Sequence, residues 1–195
     1  MNFTDCRSLL LVCLLLPAAC KTSSPPPPAR VGDWRIAGAS NALLASRDGG
    51  DFGDTDVFRG GVSAGRMISE TLMLEGVATF EDSKAEDSAG NDTNLRTFSV
   101  GGGVRYYFDT QSASRPYIGV QGGIAAVDVD DDLTTIDDSD TAPFARAGIG
   151  LESFLNEHAA LDIGLVYERI FNVELNSVED DMSTVAGMIG LSVWL

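Results

Sequence analysis

The sequence predicts an all-β chain, a closed antiparallel up-and-down transmembrane β-barrel of eight strands, and three observations carry that prediction. From Trp34 onward the apolar residues recur with period two and never sustain the 3.6-residue period of a helix. The face opposite the apolar one is mostly glycine with isolated Arg, Asp and Glu. A soluble barrel points its apolar face inward and its charged face to water, so this pattern is that of a barrel turned inside out by lipid. The connections between the alternating runs, finally, are short and long by turns.

The chain of 195 residues is the size of one domain with an export segment, and its 21 glycines exceed the usual fraction. A formal net charge of −16 excludes nucleic acid as a partner, since clustered Lys and Arg would be needed to hold phosphates. Cys6, Cys13 and Cys20 are the only cysteines. Nothing beyond Cys20 can therefore form a disulfide or a thiolate metal site.

Residues 1–19 read as a signal peptide. The apolar run Leu9–Leu16 follows Arg7 and is far shorter than the ~20 residues of a membrane-spanning helix. Cys20 stands after Pro17-Ala18-Ala19, and this junction resembles a lipobox, which implies acylation of the Cys20 thiol at the mature N-terminus. Ordinary signal-peptide cleavage near the same place is the alternative. Residues 20–33, with Pro25-Pro26-Pro27-Pro28, read as a stiff extended tether. The barrel domain is expected over residues 34–195.

The eight strands are expected at Trp34–Ala45, Val57–Ile68, Thr71–Phe80, Leu95–Phe108, Pro116–Val127, Phe144–Phe154, Ala159–Phe171 and Ser183–Leu195. In the fourth, Phe98, Val100, Val104, Tyr106 and Phe108 oppose Ser99, Gly101, Gly103 and Arg105. In the sixth, Ala145, Ala147, Ile149 and Leu151 oppose Arg146, Gly148, Gly150 and Glu152. In the seventh, Leu161, Ile163, Leu165 and Tyr167 oppose Asp162, Gly164, Val166 and Glu168. The eighth carries Val185, Ile189, Leu191, Val193 and Leu195 on one face, whereas neither face of the first is clearly apolar. Each run has the ~9–11 residues that a tilted transmembrane strand needs.

Ser69-Glu70, Asp109–Arg115 and Leu155–His158 are the short connections. The long ones are Ser46–Asp56, Glu81–Asn94, Asp128–Thr141 and Asn172–Met182, and they hold twenty of the chain's twenty-nine acidic residues. The charge is thereby concentrated at one end of the barrel.

Val100-Gly101-Gly102-Gly103-Val104-Arg105-Tyr106-Tyr107-Phe108, Arg115-Pro116-Tyr117-Ile118-Gly119-Val120, Gly148-Ile149-Gly150-Leu151-Glu152 and Gly190-Leu191-Ser192-Val193-Trp194-Leu195 together resemble the small eight-stranded outer-membrane β-barrel family of the OmpA/OmpX type. The resemblance spans nearly all of Trp34–Leu195. It implies a Gram-negative outer membrane with both termini and the short turns in the periplasm and the acidic loops outside. It also implies contact with outer-membrane lipid and lipopolysaccharide, and recognition of the C-terminal strand by the barrel-assembly machinery. That strand ends on Trp194-Leu195, where the family usually ends on an aromatic residue, and no periplasmic peptidoglycan-binding domain follows.

Among the inward positions, Glu75, Arg105, Glu152 and Asp162 fall at similar depths near the short turns, with Arg146 and Glu168 higher. Buried charges persist only when paired, so a salt-bridge network plugging the lumen is expected, extended by Arg35 and Gln121. A narrow or gated pore is the functional alternative, which the tight interior of an eight-stranded barrel disfavours.

No catalytic residue, cofactor or metal is expected. Lipid-A-modifying enzymes share this kind of barrel and use a histidine with serine and a carboxylate, but the single histidine, His158, falls in a short turn. Asp128-Val129-Asp130-Asp131-Asp132 opens like a calcium loop yet has Leu133 at the sixth position and Ser139 at the twelfth, which leaves a solvated loop, with loose divalent-cation binding as the alternative. Tyr106, Tyr107, Phe108, Tyr117, Tyr167, Phe171 and Trp194 are expected to form the interfacial girdle. The resulting expectation is a non-enzymatic outer-membrane barrel acting in envelope structure or surface interaction through its acidic loops. The rivals are a lipid-A-modifying enzyme, a narrow channel and a tethered soluble lipid-binding barrel.

Overall fold

Strands with a repeat of two residues need partners on both sides once they enter hydrocarbon, because each unpaired N–H or C=O there costs several kcal/mol. The computed structural model describes residues 30–48, 56–86, 92–131, 137–175 and 178–195. These form β1 (Trp34–Asp48), β2 (Asp56–Met67), β3 (Leu72–Glu86), β4 (Asp92–Tyr107), β5 (Ser114–Asp131), β6 (Asp137–Phe154), β7 (Ala159–Leu175) and β8 (Val178–Trp194). Each pairs antiparallel with the next, and β8 pairs with β1 to close the barrel. The expected signal peptide, Cys20 and the proline run lie outside the described residues.

Followed from partner to partner, the row that starts at Arg35 passes Gly65, Glu75, Gly103, Gln121, Arg146, Glu168 and Thr184 and returns to β1 at Arg47. That failure to return to Arg35 is the stagger required of tilted strands in a closed barrel. The same row threads Glu75, Gln121, Arg146 and Glu168 through the inner wall.

Three short turns lie on the rim that also carries Trp34 and Leu195, here called the near rim. Each is fastened by a small polar side chain that captures amides the ladder leaves free. Ser69 Oγ accepts from the Leu72 amide at 3.0 Å, Asp109 Oδ1 from Gln111 at 2.8 Å, and Asn156 Oδ1 from His158 and Ala159, both at 2.9 Å. The chain enters β1 through a turn at Gly32, whose φ of 101° only glycine adopts without strain and whose amide donates to the Met67 carbonyl at 2.8 Å.

At the far rim the expected acidic loops are largely strand, which corrects their bounds: β3 runs on to Glu86, β4 begins at Asp92, β5 ends at Asp131, β6 begins at Asp137, and β7 and β8 come within two residues of each other. The physical reason is that the alternation continues with its sign reversed. Up to Phe58, Phe80, Phe98, Ile124, Tyr167 and Val185 the outward residues are exposed and apolar. Farther on they are Asp82, Arg96, Asp128, Arg169 and Ser183, while Leu95, Val127, Ile170, Val173 and Met182 turn inward into a buried apolar cluster. Phe98 is 54 % exposed and Leu95, three residues on, is 5 %. Lipid outside and polar groups inside give way to water outside and an apolar inside. That switch marks the far edge of the membrane band. Of the stretch Asp128–Asp132, side chains beyond Asp128 lie outside the described residues.

Glycine on the inner wall has a steric cause. A Cβ at Gly103 would run into the Val120 carbonyl and come within 2.6 Å of Gln121 Cα, whereas one on outward-facing Gly76 would meet nothing nearer than 3.8 Å. Gly103→Ala is therefore expected to destabilise the barrel by about 1–3 kcal/mol, and Gly76→Ala to stay within about 0.5 kcal/mol. Urea unfolding in lipid, read by gel mobility with and without boiling, measures both.

Candidate functional site

The inner wall is layered. At the near rim, Met67, Met73, Tyr107, Phe154, Ala160 and Trp194 form a buried apolar plug. The Arg115 guanidinium stacks on it, 4.1 Å from the Phe154 ring centre and 5.5 Å from that of Trp194. Parity places these rings inside: Tyr106 and Phe108 face lipid, so Tyr107 between them faces the lumen. The girdle assignment is thus corrected for Tyr107, Tyr117 and Trp194, while Tyr106, Phe108 and Tyr167 are exposed on the outer wall.

Above the plug, Glu152 is fully buried and accepts from Arg35 Nε at 2.7 Å, Ser192 Oγ at 2.6 Å, Tyr107 Oη at 3.0 Å and Trp194 Nε1 at 3.3 Å. Asp162 accepts from Tyr117 Oη at 2.6 Å, from Arg105 Nη1 at 3.0 Å and from Arg35 Nη2. Gly150 and Gly164, next to Tyr117 in its cross-strand row, make room for this ring: a Cβ on Gly150 would lie 2.5 Å from Tyr117 Cζ. The Arg105 guanidinium lies over the ring, 4.1 Å from its centre.

A second layer follows. Arg146 donates to Glu168 from Nε at 2.8 Å and also from Nη2, which reaches Thr79 Oγ1 at 2.9 Å; its Nη1 reaches Gln121 Oε1 at 3.1 Å. Gln121 Nε2 donates to Glu75 Oε1 at 2.6 Å, and Glu75 Oε2 lies 3.3 Å from Arg105 Nε. Gln121 and Glu75 so join the two layers. Arg59 adds ion pairs to Glu168 at 2.8 Å and Glu81 at 3.4 Å.

Of the residues singled out in the sequence, Glu75, Arg105, Glu152, Asp162, Arg146, Glu168, Arg35 and Gln121 all lie in this connected array. Sequence reasoning does not reach Arg59, nor Glu81, which falls past the last apolar outward residue Phe80 in an expected loop, nor the hydroxyl and indole donors of Tyr107, Tyr117, Ser192 and Trp194. Parity alone would have found Tyr107 and Trp194. His158 sits exposed in the β6–β7 turn, its Nδ1 3.3 Å from the Trp194 carbonyl oxygen. Among the described residues no group of His, Cys, Asp or Glu is arranged to hold a metal ion.

Beyond the membrane band, Asn172 takes a left-handed φ of 54° at a bulge between β7 and β8, a conformation asparagine tolerates. Asp181 fastens that bulge, accepting the Asn172 amide at 2.9 Å and Arg169 Nη2 at 2.5 Å. The Asn172 amide first, and Arg169 second, hold the Asp181 carboxyl below its ordinary value of 3.8. A depressed carboxyl contributes stability above its unfolded value and loses it as pH falls through the lower folded one. Protection of the Asn172 amide from hydrogen exchange should therefore persist at pH 5 and fall away only below about pH 4, and Asp181→Ala should abolish it at either pH.

Glu152 is the acceptor that most groups share. Glu152→Leu should cost about 3–5 kcal/mol, because it leaves the buried Arg35 charge short of a partner; a loss below about 1 kcal/mol in urea unfolding would mean that the lumen relaxes around it.

A closed sheet with an apolar outer wall and an ion-paired inner one defines a transmembrane β-barrel. The chain belongs to the outer membrane protein beta-barrel domain family, whose model matches residues 8–193, and it is thus an outer-membrane protein. It is similar to Neisserial surface protein A, with 23 % identity and a TM-score of 0.62 over 83 % of this chain and 96 % of that one. It also resembles Ail, the attachment invasion locus protein of Yersinia pestis (14 % identity, TM-score 0.55, 84 % and 99 % covered), and the outer membrane enzyme PagL (18 %, 0.51, 80 % and 97 %). Identities this low show the fold alone. No curated protein matches the chain in sequence.

Proposed function

We propose that the chain is a non-enzymatic outer-membrane barrel that contributes to envelope structure and surface contact, with the near rim in the periplasm and the acidic far rim outside. The observation that carries this reading is the reversal of the strand pattern. Beyond the lipid band the strands stay paired over their own apolar core and present Asp82, Asp128, Glu174 and Asp181 outward, an acidic collar carried on strands. Short turns on the periplasmic side are the rule for such barrels, and this orientation suits a lipid tether at Cys20 and delivery of the C-terminal strand to the barrel-assembly machinery. Lipopolysaccharide would surround the collar, with divalent cations shared loosely between the two.

Fold likeness does not choose among functions, since surface proteins and an enzyme share this barrel. The non-enzymatic reading rests on His158, which lies against a backbone carbonyl at the near rim, away from the leaflet that contains lipid A. The lumen supports the same reading, since two apolar clusters and a network of ion pairs occupy it among the described residues.

A triple variant, Asp82→Asn, Asp128→Asn and Glu174→Gln, tests the collar. In neutral-lipid vesicles at low salt it should bind polylysine several-fold less than the parent, a difference that vanishes at high salt. Equal binding by both proteins would remove the collar as a contact surface. Replacing His158 by Ala should leave the lipid A mass spectrum unchanged, and planar-bilayer recordings should show no conductance steps; altered lipid or clear steps would transfer the assignment to an enzyme or a channel.

A further inference from the structure

On the outer wall, between the near-rim turns and the far edge of the apolar band, Arg66 is the one charged side chain among the described residues. Parity puts it there: Gly65 and Met67 on either side of it are buried, and its cross-strand partners Trp34 and Leu74 are exposed. Ala64 and Ile68, two residues away along the chain in either direction, are exposed on the same face. A charge facing lipid costs more the deeper it sits, and a long basic side chain relieves that cost by reaching for the interface. Arg66 does so. Its guanidinium carbon lies 5.8 Å from the Trp34 ring centre, and a Cβ on Gly32, in the turn that enters β1, would lie 3.8 Å from its Nη2. The charge is thus held at the near rim beside an indole, a ring suited to headgroup level.

Arg35, Arg59, Arg105 and Arg146 each meet a carboxylate in the lumen, and outward Arg169 meets Asp181. Arg66 instead contacts the Trp34 ring. An indole attracts the charge but offers no lone pair to the guanidinium's N–H donors. The acceptor abundant at this level of a bilayer is phosphate, whose oxygens match the guanidinium fork.

A second feature begins at the same place. One row above Arg66 the outer wall is small and exposed across four strands, at Ala64, Gly76, Gly102 and Gly122, between Leu74, Val104 and Val120 on one side and Val62, Val100 and Ile124 on the other. The row continues through Ala145 to Arg169, past the far edge of the band. It therefore climbs from the near rim into the hydrocarbon as a shallow channel, roughly 14 Å long at ~4.8 Å per strand.

We propose that Arg66 and Trp34 form a headgroup site for one glycerophospholipid, with the guanidinium donating to its phosphodiester oxygens and one acyl chain lying in the channel from Ala64 to Gly122. That the lipid belongs to the periplasmic leaflet rests on the orientation proposed above.

Native mass spectrometry of the folded barrel in maltoside detergent tests the site, with retained gel heat-shift showing that each variant folds. The parent should retain phosphatidylglycerol about fivefold over a phosphate-free diglucosyl lipid with the same chains; Arg66→Gln should bring the two near parity, and Arg66→Lys should keep part of the difference, as an ammonium meets phosphate only as a point charge. Arg96→Gln removes an exposed arginine beyond the band and should leave the ratio unchanged. Gly76→Leu obstructs the channel and should weaken retention of both lipids alike. Parity in the parent, or the parent's ratio surviving in Arg66→Gln, overturns the proposal. An equal loss in Arg96→Gln overturns it too, by reducing the effect to overall charge, and undiminished retention in Gly76→Leu overturns the channel. In outer membranes, a photoreactive phenylalanine analogue in place of Ile68 reports the leaflet. Phospholipid adducts are expected there; lipid A adducts would overturn the assignment to a phospholipid by reversing the orientation, with the detergent result left standing.

Discussion

The buried charges of the lumen set the terms for the rest of the molecule. An ion taken out of water costs several kcal/mol that only good partners offset, and this barrel buries Arg35, Arg59, Arg105, Arg115 and Arg146 together with Glu75, Glu81, Glu152, Asp162 and Glu168. None of these sites is independent. Glu152 draws donors from β1, β4 and β8 onto β6, and Asp162 draws β1, β4 and β5 onto β7. Strands that are not neighbours in the ladder are thereby tied across the lumen, a linkage that backbone pairing cannot supply. The array helps to fix the register as well, because a slip of one residue would turn a strand's charges within the band toward lipid.

The outer wall answers to a different constraint, the thickness of the hydrocarbon. Strands of 15 to 18 residues, as seven of the eight are, exceed the ~9–11 needed to cross it. The surplus obeys the rules of a soluble barrel. Within β4, Ser99 and Gly101 face the lumen while Phe98 and Val100 face lipid; farther along, Leu95 faces inward and Arg96 faces water. The medium outside has changed and the side chains with it, while the period of two runs on. The acidic residues at this end belong to strands wherever they are described.

This reversal explains what the sequence could and could not disclose. The class, the count of eight and the lipid-facing residues of the fourth, sixth, seventh and eighth strands are legible because a run such as Phe98, Val100, Val104, Tyr106 and Phe108 has one reading in lipid. Strand ends at the far rim are not legible by the same rule, since a search for apolar outer faces stops at Phe80 and assigns Glu81 to a loop. Depth along the lumen follows from the near-rim turns, where Met67 faces Met73, Tyr107 faces Tyr117 and Phe154 faces Ala160. Which arginine meets which carboxylate depends in addition on the registers across β1–β2, β3–β4, β5–β6 and the closure with β8. No local pattern encodes those.

Glycine supplies the remaining link between composition and site. An eight-stranded barrel has room inside for side chains but little to spare, and long polar ones can meet across it only where neighbouring positions are empty. Gly150 and Gly164 vacate the row in which Tyr117 lies down to reach Asp162, and Gly101 and Gly123 yield in the same way to Phe144, whose ring would come within 2.9 Å of a Cβ at either. In each case an aromatic residue covers bare backbone, which restores packing that glycine alone would forfeit. Glycine-rich strands and a dense ion-pair array are therefore two sides of one requirement. Filling the glycine positions with alanine would press on the carbonyls behind them and displace Tyr117 from Asp162, so Arg35 and Arg105 would have to compensate a carboxylate that had lost a donor.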